Sequence, residues 1–136
     1  MSGFNIQPGD TLPGRDFKAD TVQLFLYNAA IWNPHRIHYD LPYTREREGH
    51  PQLLIDGPLQ GDWLTQIVEE WLDDRGVLAA FRYSNRQAAY IGDVLTAEGR
   101  VTALDGPVAE LALTLRNQDG VTTTEATASV RFETGR

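Results

Sequence analysis

Gly57-Pro58-Leu59-Gln60-Gly61-Asp62-Trp63-Leu64-Thr65-Gln66-Ile67-Val68-Glu69-Glu70-Trp71-Leu72, followed by Val77-Leu78-Ala79-Ala80-Phe81-Arg82-Tyr83, is the stretch whose reading decides the fold. Leu59, Trp63, Leu64, Ile67, Val68, Trp71 and Leu72 recur at three- and four-residue spacing, the period of a helix buried along one stripe. Pro58 suits the first helical turn, where a missing N–H costs nothing. The two tryptophans on the stripe read as core, and Gly76 is expected to end the helix as a left-handed cap. From Val77 the period changes to two. Val77, Ala79, Phe81 and Tyr83 alternate with Leu78, Ala80 and Arg82, as in a strand with one buried face.

The same period continues toward the C-terminus. Leu95, Ala97, Val101 and Ala103 share one face, as do Ala109, Leu111, Leu113 and Leu115, and then Ala126, Ala128, Val130 and Phe132. Asp105-Gly106 and Asn117-Gln118-Asp119-Gly120 between these runs are antiparallel turn signals. One apolar helix followed by a meander with a single face to bury is an α+β architecture of hotdog type, a sheet wrapped around a helix. Such a sheet leaves edges to protect, and pairing into a homodimer is expected.

Toward the N-terminus, Asp20 can cap a helix whose apolar positions Val22, Phe25, Leu26, Ala29 and Ala30 share helical spacing. Pro34 should stop it near Trp32, because the residue before a proline is pushed out of the α region. Upstream, Gln7-Pro8-Gly9-Asp10 and Leu12-Pro13-Gly14 read as turns that run over the surface to a short extended piece at Phe17-Lys18-Ala19. The segment from Asn33 to Pro58 reads as one long loop, rich in Pro and Gly, and a loop that long in a compact domain is functional or disordered. Its aromatic and histidine content favours function.

Composition narrows the classes of partner. The 136 residues are enough for one domain, read as 1–136, with no repeat and no linker. Nineteen acidic against twelve basic side chains give a formal charge of −7, which argues against a nucleic-acid surface. There is no cysteine, hence no thiolate nucleophile, disulfide or Cys-ligated zinc. No apolar run approaches the ~20 residues needed to cross a bilayer, and Met1 to Asp10 lack a basic and apolar leader. A soluble cytoplasmic protein with no membrane partner is expected.

All three histidines, His35, His38 and His50, fall in the long loop. The string Asn33-Pro34-His35-Arg36-Ile37-His38-Tyr39-Asp40 packs an amide, two imidazoles, a guanidinium, a phenol and a carboxylate into eight positions. Histidine is the side chain best suited to move protons near neutral pH, and an amide can position a water through both donor and acceptor. His35-x-x-His38 with Asp40 and His50 could also be imagined around a metal, but no recognisable ligand spacing supports that.

The string resembles the signature of the MaoC-like (R)-specific enoyl-CoA hydratases, whose pattern runs Asp-x-Asn-Pro-x-His and whose fold is the hotdog. It is more similar still to the branch of mesaconyl- and methylfumaryl-CoA hydratases and mitochondrial-type 3-hydroxyacyl-thioester dehydratases. Asp56-Gly57-Pro58-Leu59-Gln60, and Arg82, Arg86 and Gly92-Asp93, extend the resemblance over roughly residues 17 to 130. The resemblance implies a lyase that adds water to, or removes it from, an acyl thioester carried by CoA or an acyl-carrier protein. It implies no cofactor beyond that substrate. Carried over by position, His38 matches the hydratase histidine, and Gly57 sits at a helix start whose amide would serve the thioester oxyanion. Asn33 falls where the wider family has its catalytic Asp, and Asp56 stands where His is expected before Gly-Pro-Leu.

That chemistry needs a base for water and N–H donors for charge growing on the thioester oxygen. His38, Asn33 and Gly57 are therefore the candidate catalytic residues. Tyr27, Trp32, His35, Arg36, Tyr39, Asp40, Pro58, Arg82 and Arg86 are candidates for holding substrate. With Asn at 33, either one base serves both proton transfers through water or Asp40 supplies the acid. Arg82 and Arg86 are either strand charges or a seat for CoA phosphates, and Asp56, if ionised and turned inward, would oppose the enolate. A non-catalytic acyl-CoA-binding subunit and a thioesterase are the competing classes.

Overall fold

The computed structural model describes residues 5–133; Met1 to Phe4, part of the stretch read as lacking a leader, lie outside the described residues. Five antiparallel strands, β1 (Thr11–Phe17), β2 (Gly76–Asn85), β3 (Leu95–Asp105), β4 (Val108–Arg116) and β5 (Thr122–Phe132), form one sheet in the order β1-β3-β4-β5-β2. Three helices, α1 (Thr21–Ala30), α2 (Leu41–Glu46) and α3 (Gly57–Leu72), and a 3-10 turn at Arg36–His38 precede β2. Helix α3 packs across the concave face and touches all five strands. The α+β hotdog architecture read from the sequence is the observed one.

Leu59, Trp63, Leu64, Ile67, Val68 and Leu72 of α3 are buried against Leu95, Ala97, Val101, the Ala109-Leu111-Leu113-Leu115 row and the Ala126-Ala128-Val130-Phe132 row. Each large side chain of this kind contributes about 1.5–3 kcal/mol on burial. Trp63 stacks on Phe17 with ring centroids 5.1 Å apart, and Trp71, at the rim of the stripe, meets Phe132 edge-on. Both expected turns form, with Gly106 and Gly120 at positive φ. Among the described residues, no helix is long and apolar enough to cross a membrane.

Several local expectations are corrected. Thr11–Phe17 is a full strand paired with β3, because a register shift between Leu12 and Arg15 absorbs Pro13 and Gly14 on an outer strand. The long loop contains α2, started by the Asp40 side chain on the Tyr43 amide. Gly76 is no cap: the residue at positive φ after α3 is Asp73, and Gly76 begins β2 against β5. A Cβ at Gly76 would come within 2.2 Å of the Arg131 carbonyl oxygen, so the glycine serves close strand approach. The alternation in β2 switches faces at a shift between Leu78 and Ala80, so Val77 points out while Phe81 and Tyr83 pair with the inward Ala128 and Ala126. A second shift, between Val101 and Ala103, leaves Ala103 exposed.

Helix α1 departs furthest from its apolar pattern. Its buried residues are Leu24 and Asn28, while Val22, Phe25 and Leu26 are each more than half exposed (64%, 58% and 59%). The helix docks by a narrow row and turns its apolar spacing outward.

Candidate active site

The site is assembled where the long loop returns to α3. Ile55 N–H donates to Ala89 O at 2.8 Å, Ile91 N–H to Leu53 O at 3.0 Å, and Leu54 N–H to Ile37 O at 3.1 Å. With Leu53 and Ile55 buried, these bonds clamp residues 53–56 between the stretch after β2 and the 3-10 turn. The clamp fixes His38 and Asp56, which sit at its two ends.

His38 is buried, and its Nδ1 lies 2.7 Å from the Leu54 carbonyl oxygen. A carbonyl can only accept, so Nδ1 carries the proton and Nε2 is left as a basic lone pair. His38 borders a cavity of about 470 Å³ together with Asn33, Ile55, Asp56, Gly57, Pro58, Gln60, Asn85 and Arg86. A second cavity of about 340 Å³, lined by Phe25, Asn28, Ala29, Trp32, Pro34 and Tyr39, shares Asn33 and His38 with the first. The two residues thus stand between a polar chamber and an apolar one.

Asn33 is placed by the end of α1. Trp32 takes a left-handed conformation (φ 57°), Asn33 N–H donates back to Asn28 O at 2.9 Å and Trp32 N–H to Ala29 O at 3.4 Å, a Schellman closure. The Asn33 side-chain oxygen accepts from the His35 amide at 3.2 Å, which turns its NH2 group toward the cavity and Asp56.

Asp56 precedes α3 at the N-cap position yet makes no capping bond with its side chain. It is 4% exposed; Oδ1 accepts from the Asn28 amide at 3.4 Å, and Oδ2 has no hydrogen-bond partner among the described residues. Burial pushes its carboxyl above the ordinary range, while a charged His38 and the Asn28 and Asn33 amides pull the other way. Behind it, Gly57 faces Asn85, whose Oδ1 would lie 2.0 Å from a Cβ at position 57. Only glycine lets the end of β2 approach the helix start this closely. Asn85 is held by Thr124 Oγ at 2.9 Å, Thr124 donates to Gln60 Oε1 at 2.7 Å, and Gln60 donates to Ile55 O at 3.1 Å. The first-turn amides of α3, at the positive end of its dipole, therefore front the polar cavity on a rigid polar base.

Of the residues singled out in the sequence, the structure brings Asn33, His38, Gly57, Pro58 and Arg86 to the polar cavity, and Trp32 and Tyr39 to the apolar one. Five others lie elsewhere. Tyr27 donates its hydroxyl to Asp62 at 2.7 Å and bolts α1 to α3. His35 accepts the Ile37 amide on Nδ1 and caps the 3-10 turn. Arg36 and Asp40 form an ion pair at 2.8 Å, with the guanidinium over the Tyr43 ring. The hydrogen bonds from Arg36 and the Tyr43 amide hold the Asp40 carboxyl below its ordinary range, and Asp40 lines neither cavity. Arg82 lines a separate groove with Arg100, and Arg86 lines both that groove and the polar cavity. His50 is engaged by the Tyr90 hydroxyl at 2.9 Å, away from His38. Asn28, Gln60 and Asn85 were not foreseen; a polar residue in a helix beside Leu24, and Gln60 beside the apolar stripe of α3, were the available signals.

Residues 5–91 match the family described as hydroxyacyl-thioester dehydratase type 2, and the chain belongs to this family. It is 53% identical over 49 residues, 36% of this chain, to a mesaconyl-C(4)-CoA hydratase of Chloroflexus aurantiacus. It is 27% identical over 82 residues, 60% of this chain, to the mitochondrial hydroxyacyl-thioester dehydratase type 2 of Saccharomyces cerevisiae. These matches span only 18% and 29% of those relatives. In fold the chain is similar to the (R)-hydratase of A. caviae (TM-score 0.85, 18% identity, 95% of this chain and 98% of that one). A MaoC-like dehydratase from Rhodospirillum rubrum superposes with TM-score 0.80 at 18% identity, over 97% of both chains.

Proposed function

We propose that this member of the hydroxyacyl-thioester dehydratase type 2 family adds water across the α,β double bond of an acyl-CoA, and removes it in the reverse direction. The observation that carries the reading is the buried His38, its Nδ1–H fixed on Leu54 O and its Nε2 free, in one cavity with the helix start at Gly57. The thioester carbonyl rests against the Gly57 amide, where enolate charge meets N–H donors and the helix dipole. A water held by the Asn33 amide is deprotonated by His38 Nε2 as its oxygen bonds to Cβ. The acyl chain takes the apolar cavity beneath Trp32. The anionic carrier leaves past Arg86 toward the groove of Arg82 and Arg100, a local basic seat on an acidic protein. No cofactor enters this reaction, and the chain is proposed to work as a homodimer.

The test is hydration of crotonyl-CoA and of a mesaconyl-type thioester by the purified protein, followed by loss of enoyl-thioester absorbance. His38→Ala is expected to lower kcat about 10²–10⁴-fold, the worth of a positioned base, with an unchanged circular dichroism spectrum. Unaltered turnover in His38→Ala removes His38 from the mechanism. Saturable acyl-CoA binding without turnover by the native chain identifies a binding subunit instead, and release of free thiol identifies a thioesterase.

A further inference from the structure

Hydration needs two proton transfers, one from water to a base and one from an acid to Cα. His38 answers the first. For the second, Asn33 in the same cavity is an amide and has no acidic proton to give. Asp40 is bound to Arg36 and lines neither of the two cavities that share His38. The carboxyl that does line the polar cavity with His38 and Asn33 is Asp56.

Its setting fits an acid and is poor for a cap. An aspartate in the N-cap position ordinarily gives its carboxylate to a first-turn amide, yet Asp56 makes no such bond and keeps a buried Oδ2 with no hydrogen-bond partner among the described residues. A buried, unpaired carboxylate oxygen is costly, whereas a protonated carboxyl carries a donor that a bound substrate can use. Burial favours that neutral form. The titratable or charged groups around it are His38 from the 3-10 turn, the Tyr27 hydroxyl of α1 and Arg86 after β2; Arg86 is engaged by Glu125 at 3.3 Å.

We propose that Asp56 is the catalytic acid of this site, in the cavity it lines with His38 and Asn33; this rests on the hydratase reading above. In the forward direction His38 Nε2 takes a proton from water as the oxygen forms its bond to Cβ. The π electrons move through Cα onto the thioester oxygen, held by the Gly57 amide. As the enolate collapses, Cα takes the proton of the Asp56 carboxyl, which leaves a carboxylate beside an imidazolium. Return of that proton from His38 to Asp56 restores both groups, and the sum is water plus enoyl thioester giving 3-hydroxyacyl thioester. A protonated Asp56 also removes the electrostatic objection read in the sequence, because a neutral acid does not oppose the enolate.

The experiment compares the native protein, Asp56→Asn and the double variant Asp56→Asn with Asn33→Asp on crotonyl-CoA across pH. Asp56→Asn is expected to lower kcat at least 100-fold with KM changed less than threefold. The native rate falls on the alkaline side as Asp56 loses its proton, and that limb disappears in Asp56→Asn. The double variant, with a carboxyl placed at position 33 of the same cavity, is expected to recover at least tenfold over Asp56→Asn. Activity of Asp56→Asn within threefold of native, while His38→Ala is inactive, overturns the acid role and leaves the hydratase reading standing. A native protein inactive on every enoyl thioester overturns both. Should Asp56→Asn fail to fold, carbon-13 titration of the Asp56 carboxyl in the native chain decides: a midpoint above the ordinary aspartate range supports the proposal, and one within it overturns it.

Discussion

At the scale of single residues, the site combines groups placed by their neighbours in sequence with groups placed by distant ones. Trp32 belongs to the first kind. It is 91% exposed and holds a left-handed backbone that a bulky side chain adopts at a cost of about 1–2 kcal/mol. That conformation closes α1 and sets Asn33, and glycine would serve the closure better. Trp32→Gly removes the penalty against about 0.5–1 kcal/mol of extra backbone entropy, so the melting temperature is expected to rise by roughly 2–4 °C. The indole, however, forms one wall of the apolar cavity. The same variant should therefore raise KM severalfold for enoyl-CoA chains long enough to reach it, with kcat on crotonyl-CoA little changed. A rise in stability with no change in KM for any chain length removes the acyl group from that cavity. His38, Asn33 and Gly57, which the structure brings to one cavity, stand in short motifs legible in the sequence. Asn28, Gln60 and Asn85 could not be read there, because their value comes from Asp56, Thr124 and Gly57, partners 28 or more residues away.

At the scale of elements, the periodic segments were legible wherever one face is buried continuously. Helix α3 and the rows of β4 and β5 are such cases, and each inward residue read from their spacing is buried or packed against the core. Reading failed where backbone geometry breaks the period. Pro13 and Gly14 masked β1, since a shifted register lets an outer strand carry turn-forming residues. The shift in β2 put Val77 and Phe81, two residues of one alternating row, on opposite faces, which no alternation count can reveal. Helix α1 misled in another way, its apolar spacing being turned away from the core. Gly76 was legible as special but for the wrong reason, and its actual role can be tested. A side chain there meets the Arg131 carbonyl and the Phe132 Cα, backbone that cannot rotate aside. Gly76→Ala should push β2 from β5 and cost about 1–3 kcal/mol, the usual range for overpacking, measured by urea denaturation. A loss below a few tenths of a kcal/mol would show that the approach of β2 to β5 does not require glycine at this position.

At the scale of the whole molecule, the two outer strands are unequal. β1 has the marks of a protected edge: Pro13 and the charges Arg15 and Asp16. β2 has no proline, and along Gly76–Phe81 it offers an uncharged edge with Val77 half exposed. An unguarded strand of this kind is a template for pairing with its own copy, and antiparallel β2 to β2 contact would join two five-stranded sheets by a two-fold axis. The outward apolar face of α1 has the same need of cover. Because Asn85 ends β2, packs closely against Gly57 at the start of α3 and bonds to Thr124, pairing at β2 would also steady the polar cavity. Sedimentation at micromolar concentration should therefore give a dimer for the native chain. Val77→Lys combined with Ala79→Lys, which places charge on the outward positions of that edge, should give a monomer whose circular dichroism is unchanged and whose hydration rate is reduced at least tenfold. A native chain that sediments as a monomer, or a charged variant that remains dimeric, would show that β2 is not the joining edge.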